Sequence, residues 1–334
     1  MKALKIISYG KIEDSLEFQD EAIPEVGVSD VLIDIHAVST NPIDYKIIEG
    51  NFKQVIPLSF PAPIGFDVSG KIIKKGDNVT HLNIGDEVFS RVPSERFGTF
   101  AEQIAVKADV VVKKPNNISF EEAAGIPLVG LTGLQSLNQG KIKEGDRVLI
   151  HAGSGGVGSF SIQYAKSKGA YVYTTTSTDN VDWVKALGAD RVIDYKKENY
   201  LDIAKEMDII FDTLGGQYTL DAFKILKNNG WVISSVGEVD GETAKELGLN
   251  GFIRFILSLK MQKIKKEMKK KNAGYKLILM QPSGEQLTEI KLLIEKGKIK
   301  PVVDRTFSFE NSMDALKLQA SGRAKGKIII NIKG

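Results

Sequence analysis

The chain contains no cysteine. That excludes disulfides, thiolate nucleophiles, iron–sulfur clusters and every cysteine-ligated zinc site. Histidine is nearly as scarce. His36, His81 and His151 are the only three, and they share no H-x-x-x-H spacing, so a histidine-rich metal site is not expected. Charge of one sign is also lacking: 45 Lys plus Arg against 42 Asp plus Glu leave a net +3. So small an excess gives no electrostatic reason to expect a nucleic-acid partner. Long hydrophobic runs are missing as well. The longest uncharged stretch, Ala123 to Gly140, is broken by a Pro, four Gly and several polar residues. It is no transmembrane helix, and the first residues hold no apolar stretch of signal-peptide length. No membrane insertion is expected, and the cytoplasm is the default compartment. What remains is ordinary soluble composition, 42% hydrophobic and 26% charged over 334 residues. That length suggests about two domains, each able to bury a core without staples.

The first 120 residues read as β-rich. Lys2 to Ser8, Val31 to Val38, Val68 to Lys74, Glu87 to Arg91 and Phe100 to Val106 are short β-branched runs separated by turn signals such as Lys75-Gly76-Asp77-Asn78. They predict a small antiparallel barrel or sandwich. The pattern changes after Pro115. From Arg147 onward apolar strand candidates alternate with helix candidates, the signature of a parallel sheet covered on both faces. Strands are expected at Arg147–His151, Tyr171–Thr175, Arg191–Ile193, Met207–Asp212 and Trp231–Val236, with helices between them. Residues 240 to 271 are helical in pattern, with an apolar stripe at Leu257, Met261, Ile264 and Met268. Seven lysines lie between Lys260 and Lys271. They read as a solvated helix face over the cleft or the sheet in preference to a membrane-surface or nucleic-acid patch, since no arginines or aromatics interleave with them. After a strand candidate at Tyr275–Met280 and a helix from Ser283, β character returns at Val302–Val303, Thr306–Phe309 and Gly326–Ile332. The two ends of the chain are thus expected to meet in one β-domain, with an α/β domain inserted.

The feature that carries chemistry is Gly153-Ser154-Gly155-Gly156-Val157-Gly158. It is a G-x-G-x-x-G between an apolar strand and an amphipathic helix, the context a dinucleotide site requires. Glycine removes the Cβ that would block a pyrophosphate, and the helix N-terminus offers unpaired N–H groups and partial positive charge. The bland alternative is a glycine turn needed only for helix–strand packing. The second strand ends Thr174-Thr175-Thr176-Ser177 with no acidic residue for a ribose 2′-OH, which favours NADP(H) over NAD(H). Asp179 argues the other way, no Arg or Lys sits in the turn itself to neutralise a 2′-phosphate, and Arg191 and Lys196 would have to approach from the next strand. His151 starts the glycine turn and reads as a packed residue, as do His36 and His81.

The run Gly145-Asp146-Arg147-Val148-Leu149-Ile150-His151-Ala152-Gly153-Ser154-Gly155-Gly156-Val157-Gly158, with Gln163 and Lys166, resembles the signature of the quinone oxidoreductase and ζ-crystallin group of the medium-chain dehydrogenase/reductase superfamily. Asn41-Pro42-Ile43-Asp44-Tyr45-Lys46, Gly65-Phe66-Asp67-Val68-Ser69-Gly70, Gly85-Asp86-Glu87-Val88, Leu187-Gly188-Ala189-Asp190 and Ala324-Lys325-Gly326-Lys327 extend the likeness over the whole chain. The resemblance implies an α/β protein with a GroES-like β-domain, residues 1–122 and 282–334, and an inserted Rossmann dinucleotide-binding domain, residues 123–281. It implies an active site in the cleft between them and NADPH-dependent reduction of quinones or α,β-unsaturated carbonyls, as in plant enone reductases. Zinc-dependent relatives place ligands near Asn41–Pro42 and Phe66. Those residue types here, with no cysteine anywhere, imply a metal-free enzyme. Without a Lewis acid a simple ketone is a poor acceptor, whereas a quinone or enone spreads the incoming charge into a phenolate or enolate.

By position in that resemblance, Tyr45 and Lys46 are the catalytic candidates. Lys46 would contact the nicotinamide or ribose. Tyr45 would hydrogen-bond the substrate oxygen or relay a proton, or else simply pack in the β-domain, and Asp67 would orient Lys46. Asn41 would line the cleft and Thr132 would face the nicotinamide. Ser154, Gly155, Gly156 and Val157 would cradle the pyrophosphate. Thr176, Ser177 and Tyr195 would surround the adenosine ribose and its phosphate. Leu214, Gly215, Val236 and Gly237 would approach the nicotinamide half, and Arg323 would add a C-terminal cofactor contact. No metal is expected, and a homodimer is expected through the sheet edge near Tyr275–Met280. Two alternatives stay open: a trans-2-enoyl thioester reductase, with the lysine helix receiving coenzyme A phosphates, and a nucleotide-binding scaffold or RNA-binding protein with little turnover.

Overall fold

A computed structural model describes residues 1–333. In chain order, β1 (Lys2–Ile6), α1 (Ile12–Ser15), β2 (Leu16–Asp20) and β3 (Asp30–Ser39) lead to α2 (Pro42–Ile48). β4 (Asp67–Lys75), β5 (Glu87–Arg91), β6 (Gln103–Lys107) and β7 (Val111–Lys113) follow, then α3 (Phe120–Ala124) and α4 (Pro127–Gln139). Alternation begins with β8 (Arg147–Ile150), α5 (Gly156–Ser167), β9 (Tyr171–Thr176), α6 (Val181–Ala186), β10 (Arg191–Asp194), α7 (Tyr200–Ile203), β11 (Met207–Asp212), α8 (Gln217–Ile225) and β12 (Leu226–Ser234). Three helices, α9 (Gly241–Glu246), α10 (Gly251–Lys260) and α11 (Gln262–Lys271), precede β13 (Gly274–Leu277). The chain closes with α12 (Gly284–Glu295), β14 (Val303–Ser308), α13 (Ser312–Ala320) and β15 (Lys327–Asn331).

The chain divides into two compact units, Met1–Leu131 with Gln281–Gly334, and Thr132–Met280. In the first, β14, β15, β3, β4, β5 and β7 lie side by side and β6 pairs with β3. The pairing is antiparallel except between β14 and β15. β15 pairs with β3 through Ile329↔Ser39 and Ile330↔Val38, so the two ends of the chain meet in one sheet. Ile33, Ile35, Phe66, Val68, Val88, Phe309, Leu316, Ile328 and Ile330 share one core. The return segment also holds a helix where only strands are read from the sequence. Its buried residues Ser312, Ala315 and Leu316 share one face over a single turn, a pattern too short to stand out beside the β-branched run 327–331.

In the second unit all six strands are parallel, in the order β10-β9-β8-β11-β12-β13. Numbered from β8, that is 3-2-1-4-5-6, and order reverses between β8 and β11. Val148, Leu149, Ile150, Ile209, Ile210 and Phe211 are all buried, because helices cover both faces. Of the stripe Leu257, Met261, Ile264 and Met268, the last three turn inward as their spacing predicts, while Leu257 is half-buried at the wall of a cavity. Met261 and Ile264 are buried in the core beside Phe223 and Tyr275, with Met268 packed against it. No helix among the described residues is long and apolar enough to cross a membrane.

Candidate functional site: a glycine turn and a buried polar cluster

The turn from β8 into α5 separates two kinds of glycine. A Cβ on Gly153 would stand 2.2 Å from Thr174 Oγ1, and one on Gly158 2.2 Å from the Ala152 carbonyl oxygen. These two are required by packing. A Cβ on Gly155 would meet only the Ala152 carbonyl oxygen, at 3.5 Å. The protein itself does not need glycine there, so the missing side chain leaves space for something else. Gly155 is also the N-cap of α5, with no side-chain cap and no acidic residue in the first turn. A 12-residue helix therefore presents its N-terminal N–H groups and partial positive charge without an internal anion. Ser154, Gly155, Gly156 and Val157 are all partly exposed, as an anion cradle requires.

The end of β9 lies beside this turn. Thr174 donates to the Ile150 carbonyl at 2.7 Å, and the Ala152 N–H donates to Thr175 Oγ1 at 3.2 Å. The Thr176 hydroxyl is buried without a hydrogen-bond partner among the described residues. Ser177 accepts from Asn180 at 2.9 Å, and Asp179 is exposed. Arg191 is bound to Glu198, so it is not a ready partner for a phosphate. Tyr195 directly follows β10, its N–H donating to the Thr176 carbonyl at 3.1 Å, and it is 59% exposed.

At the strand ends across the switch point, Asp212 shapes a second turn. Its Oδ1 accepts from the N–H groups of Leu214 and Gly215 at 2.9 and 2.8 Å, and its Oδ2 from the Thr219 and Ser234 hydroxyls at 2.5 and 3.2 Å. Gly215 sits at φ +74°, where glycine is favoured. Leu214 and Val236 stand exposed at the carboxyl ends of β11 and β12. A Cβ on Gly237 would crowd the Tyr275 hydroxyl at 2.5 Å, which is a packing reason for that glycine. Thr132 is buried in α4. His151 is enclosed by Tyr200 and Tyr218, and burial pushes its imidazole down to about 4, so it is neutral at pH 7. His36 stacks on Phe120 and His81 bonds the Ala108 carbonyl oxygen. All three histidines are thus placed by packing or backbone contacts.

In the first unit, α2 begins with a reciprocal cap. Asn41 is its N-cap, Pro42 its first residue, and the Asn41 N–H donates to Asp44 at 2.6 Å. The Asn41 side chain then joins a buried network. Its Nδ2 donates to Asp67 Oδ2 at 2.9 Å, and its Oδ1 accepts from Lys327 Nζ at 2.6 Å. Lys327 also donates to the Thr40 carbonyl at 2.9 Å and lies 3.4 Å from Asp67. Ser39 and the Leu128 N–H complete the Asp67 shell, each at 2.9 Å. Burial pushes the Asp44 carboxyl up to about 7 and pushes the Lys327 ammonium down. Tyr45 and Lys46, on the next turn, are half-buried, and Lys46 forms no ion pair among the described residues. Burial, with Glu49 nearby, pushes the Tyr45 phenol up, so its hydroxyl stays protonated at neutral pH and is a weaker acid than a free phenol.

This cluster is a poor zinc site. Phe66 is stacked on Phe97, Asn41 has both amide atoms bonded, and Asp67 already accepts from three donors besides a lysine ammonium. A dication would be repelled by Lys327 and would have to displace these bonds. Among the described residues no group of three His, Cys, Asp or Glu could hold a metal.

The structure thus gathers Asn41, Tyr45 and Lys46 at α2. It gathers Ser154 to Val157 with Thr176 and Ser177, and sets Leu214, Gly215, Val236 and Gly237 at the neighbouring strand ends. Arg323 is exposed in the turn after α13. Asp212 and Lys327 were given no site role from the sequence, Lys327 standing there only as the last residue of the run Ala324-Lys325-Gly326-Lys327. Asp212 could have been found as an acid ending a parallel strand before Leu-Gly-Gly, whereas Lys327 looks like any lysine leading a β-run.

Residues 27–116 match the alcohol dehydrogenase GroES-like domain and residues 187–330 match the zinc-binding dehydrogenase family. The chain is 34% identical to the 2-methylene-furan-3-one reductase of Solanum lycopersicum, over 99% of this chain and 79% of that protein. It is also 34% identical to the chloroplastic NADPH-dependent alkenal/one oxidoreductase of Arabidopsis thaliana, with the same coverage. The quinone oxidoreductase of Coxiella burnetii superposes with a TM-score of 0.86 at 33% identity, covering 100% of this chain and 99% of that one. The zinc in the second family description finds no fitting residues here. With both domains matched and full-length relatives at this identity, the chain belongs to the medium-chain dehydrogenase/reductase superfamily.

Proposed function

We propose that this protein is a metal-free, NADPH-dependent reductase of quinones or α,β-unsaturated carbonyls. The observation that carries it is the uncapped N-terminus of α5 behind Gly155, a glycine that packing does not require. Relatives named for furanone, alkenal/one and quinone reduction supply the acceptor class. Bound at this turn, NADPH supplies a hydride. The α5 N–H groups hold its pyrophosphate, and the Thr176 and Ser177 hydroxyls bind the ribose phosphate, with Tyr195 beside them. Leu214 and Val236 keep water from the nicotinamide half. Thr132 and Lys46 orient it, and Arg323 adds a cofactor contact from the C-terminal segment. As hydride adds to the conjugated carbon, the electron pair moves to the acceptor oxygen. The Tyr45 hydroxyl hydrogen-bonds that oxygen, and the proton comes from Tyr45 or from water. Asn41, fully bonded within its own domain, fixes the start of the helix that carries both residues.

The protein acts as a homodimer paired through β13, the edge strand of the parallel sheet, in the cytoplasm. Sedimentation as a monomer at micromolar concentration would remove the dimer. The activity is tested by NADPH oxidation against an ortho-quinone and an unhindered enone, with chelator present and NADH in parallel. Turnover with NADPH is expected, and no turnover with either acceptor would overturn the assignment. Tyr45→Phe should lower kcat by roughly 10²-fold, the lower end of general-acid contributions, with little change in KM for NADPH.

A further inference from the structure

Helix α10 buries none of its residues. Phe252 is 73% exposed and Phe255 62%, with Ile256 and Leu259 also open to solvent. At 3.6 residues per turn these four form one stripe, on the side opposite Leu257 and Met261. A cavity of about 490 Å³ lies along the helix, lined by Ala244, Leu257 and Met261 and, from the edge of the exposed stripe, by Phe255, so the core leaves this side of the helix unfilled. Beyond Met261, which keeps right-handed helical dihedrals, Lys263, Lys266 and Lys270 continue the spacing of the exposed stripe into α11. All three are exposed. Lys263 and Lys266 form no ion pair among the described residues, while Lys270 pairs with Glu267.

The charge of the whole chain is concentrated here. Residues 251–271 hold Arg254, seven lysines and the single acid Glu267, a net +7. Since the chain totals +3, the remainder sums to −4. An exposed apolar stripe that runs directly into a lysine face is complementary to a surface whose apolar interior lies beneath an anionic layer. The sequence alone favoured a solvated face for these lysines. What changes the balance is the second stripe, Phe252, Phe255, Ile256 and Leu259, which the structure leaves uncovered.

We propose that α10 and α11 are a peripheral docking surface for anionic phospholipid bilayers. The apolar stripe of α10 enters the headgroup boundary, and the α11 lysines contact lipid phosphates. No helix among the described residues is long and apolar enough to span the bilayer, and the docking is independent of the reductase activity. The test is co-sedimentation of the full chain with vesicles of phosphatidylcholine alone and of phosphatidylcholine mixed with phosphatidylglycerol. Binding is expected only to the mixed vesicles, with release at high salt. Lys263→Glu with Lys266→Glu should weaken binding by at least roughly fivefold for each lysine changed. Phe252→Ser with Phe255→Ser should abolish it while circular dichroism stays unchanged, because both rings are exposed. Failure to bind mixed vesicles, or binding that ignores both sets of substitutions, would overturn the proposal. So would a change of oligomeric state on substitution, which would assign the stripe to contact between copies. A fall in basal NADPH oxidation with vesicle binding intact would likewise assign it to enclosing the substrate.

Discussion

Gly155 and Gly158 are three residues apart in one motif, yet they answer to different forces. Gly155→Ala places a methyl in open space, at a backbone conformation (φ −82°, ψ 170°) any residue adopts. It should cost less than about 1 kcal/mol of stability while raising the Kd for NADPH at least tenfold, read by fluorescence titration beside thermal denaturation. Gly158→Ala drives a methyl against the Ala152 carbonyl oxygen and should cost about 1–3 kcal/mol, as overpacking does. Equal losses of stability in the two variants would contradict this division. Asp44 makes a different prediction. Burial raises its carboxyl from 3.8 to about 7. The folded state therefore keeps the Asp44 proton over a range in which the unfolded chain has released it. Through this group stability falls as pH rises from about 4 to about 7. Asp44→Asn can still accept from the Asn41 N–H and cannot ionise. Its stability relative to the parent should improve steadily across that window in urea denaturation, and a flat difference would sink the idea. The G-x-G-x-x-G was legible as a motif. Which of its glycines is free was not, because that depends on Thr174 and Ala152 approaching from other parts of the unit.

At the scale of elements, Lys327 ties together pieces that sequence keeps far apart. From β15 it reaches the Thr40 carbonyl and Asn41 at the start of α2, and Asp67 at the start of β4. Ser39, at the end of β3, joins through Asp67. Lys327→Met would leave the Asp67 carboxylate buried without its cation. The expected loss is about 3–5 kcal/mol in chemical denaturation, with Asp67→Asn added to it restoring part. An unchanged midpoint would show that the hydrogen bonds to Asp67 suffice alone. The parallel strands β8 to β12 were readable because a sheet covered on both faces demands continuous apolar runs, as in Val148-Leu149-Ile150 and Ile209-Ile210-Phe211. α13 and β2 were not. Each is short and partly exposed, and neighbours in the fold decide its conformation more than its own pattern does.

For the whole molecule, a ligand that binds only the folded state raises stability by mass action. NADPH at a hundredfold excess over its Kd should add about 2.7 kcal/mol to the unit that binds it, a Tm rise of roughly 5–10 °C for a domain of this size. NADH at the same concentration should give a smaller rise. A larger rise with NADH would mean that Asp179, not the Thr176 and Ser177 hydroxyls, governs the ribose. Sequence by itself determined the architecture: the switch from β-runs to strand–helix alternation, the glycine turn after an apolar strand, and the β-runs at both ends. These follow from local periodicity and turn chemistry, which any window of the chain carries. It also excluded cysteine-ligated zinc, because composition needs no coordinates. Only the tertiary structure decided that Lys327 sits beside Asp67, that Asp212 builds the turn at Leu214 and Gly215, and that Phe252 and Phe255 stay uncovered. Contacts and exposure of this kind depend on which distant elements pack together, and no pattern along a single segment contains that information.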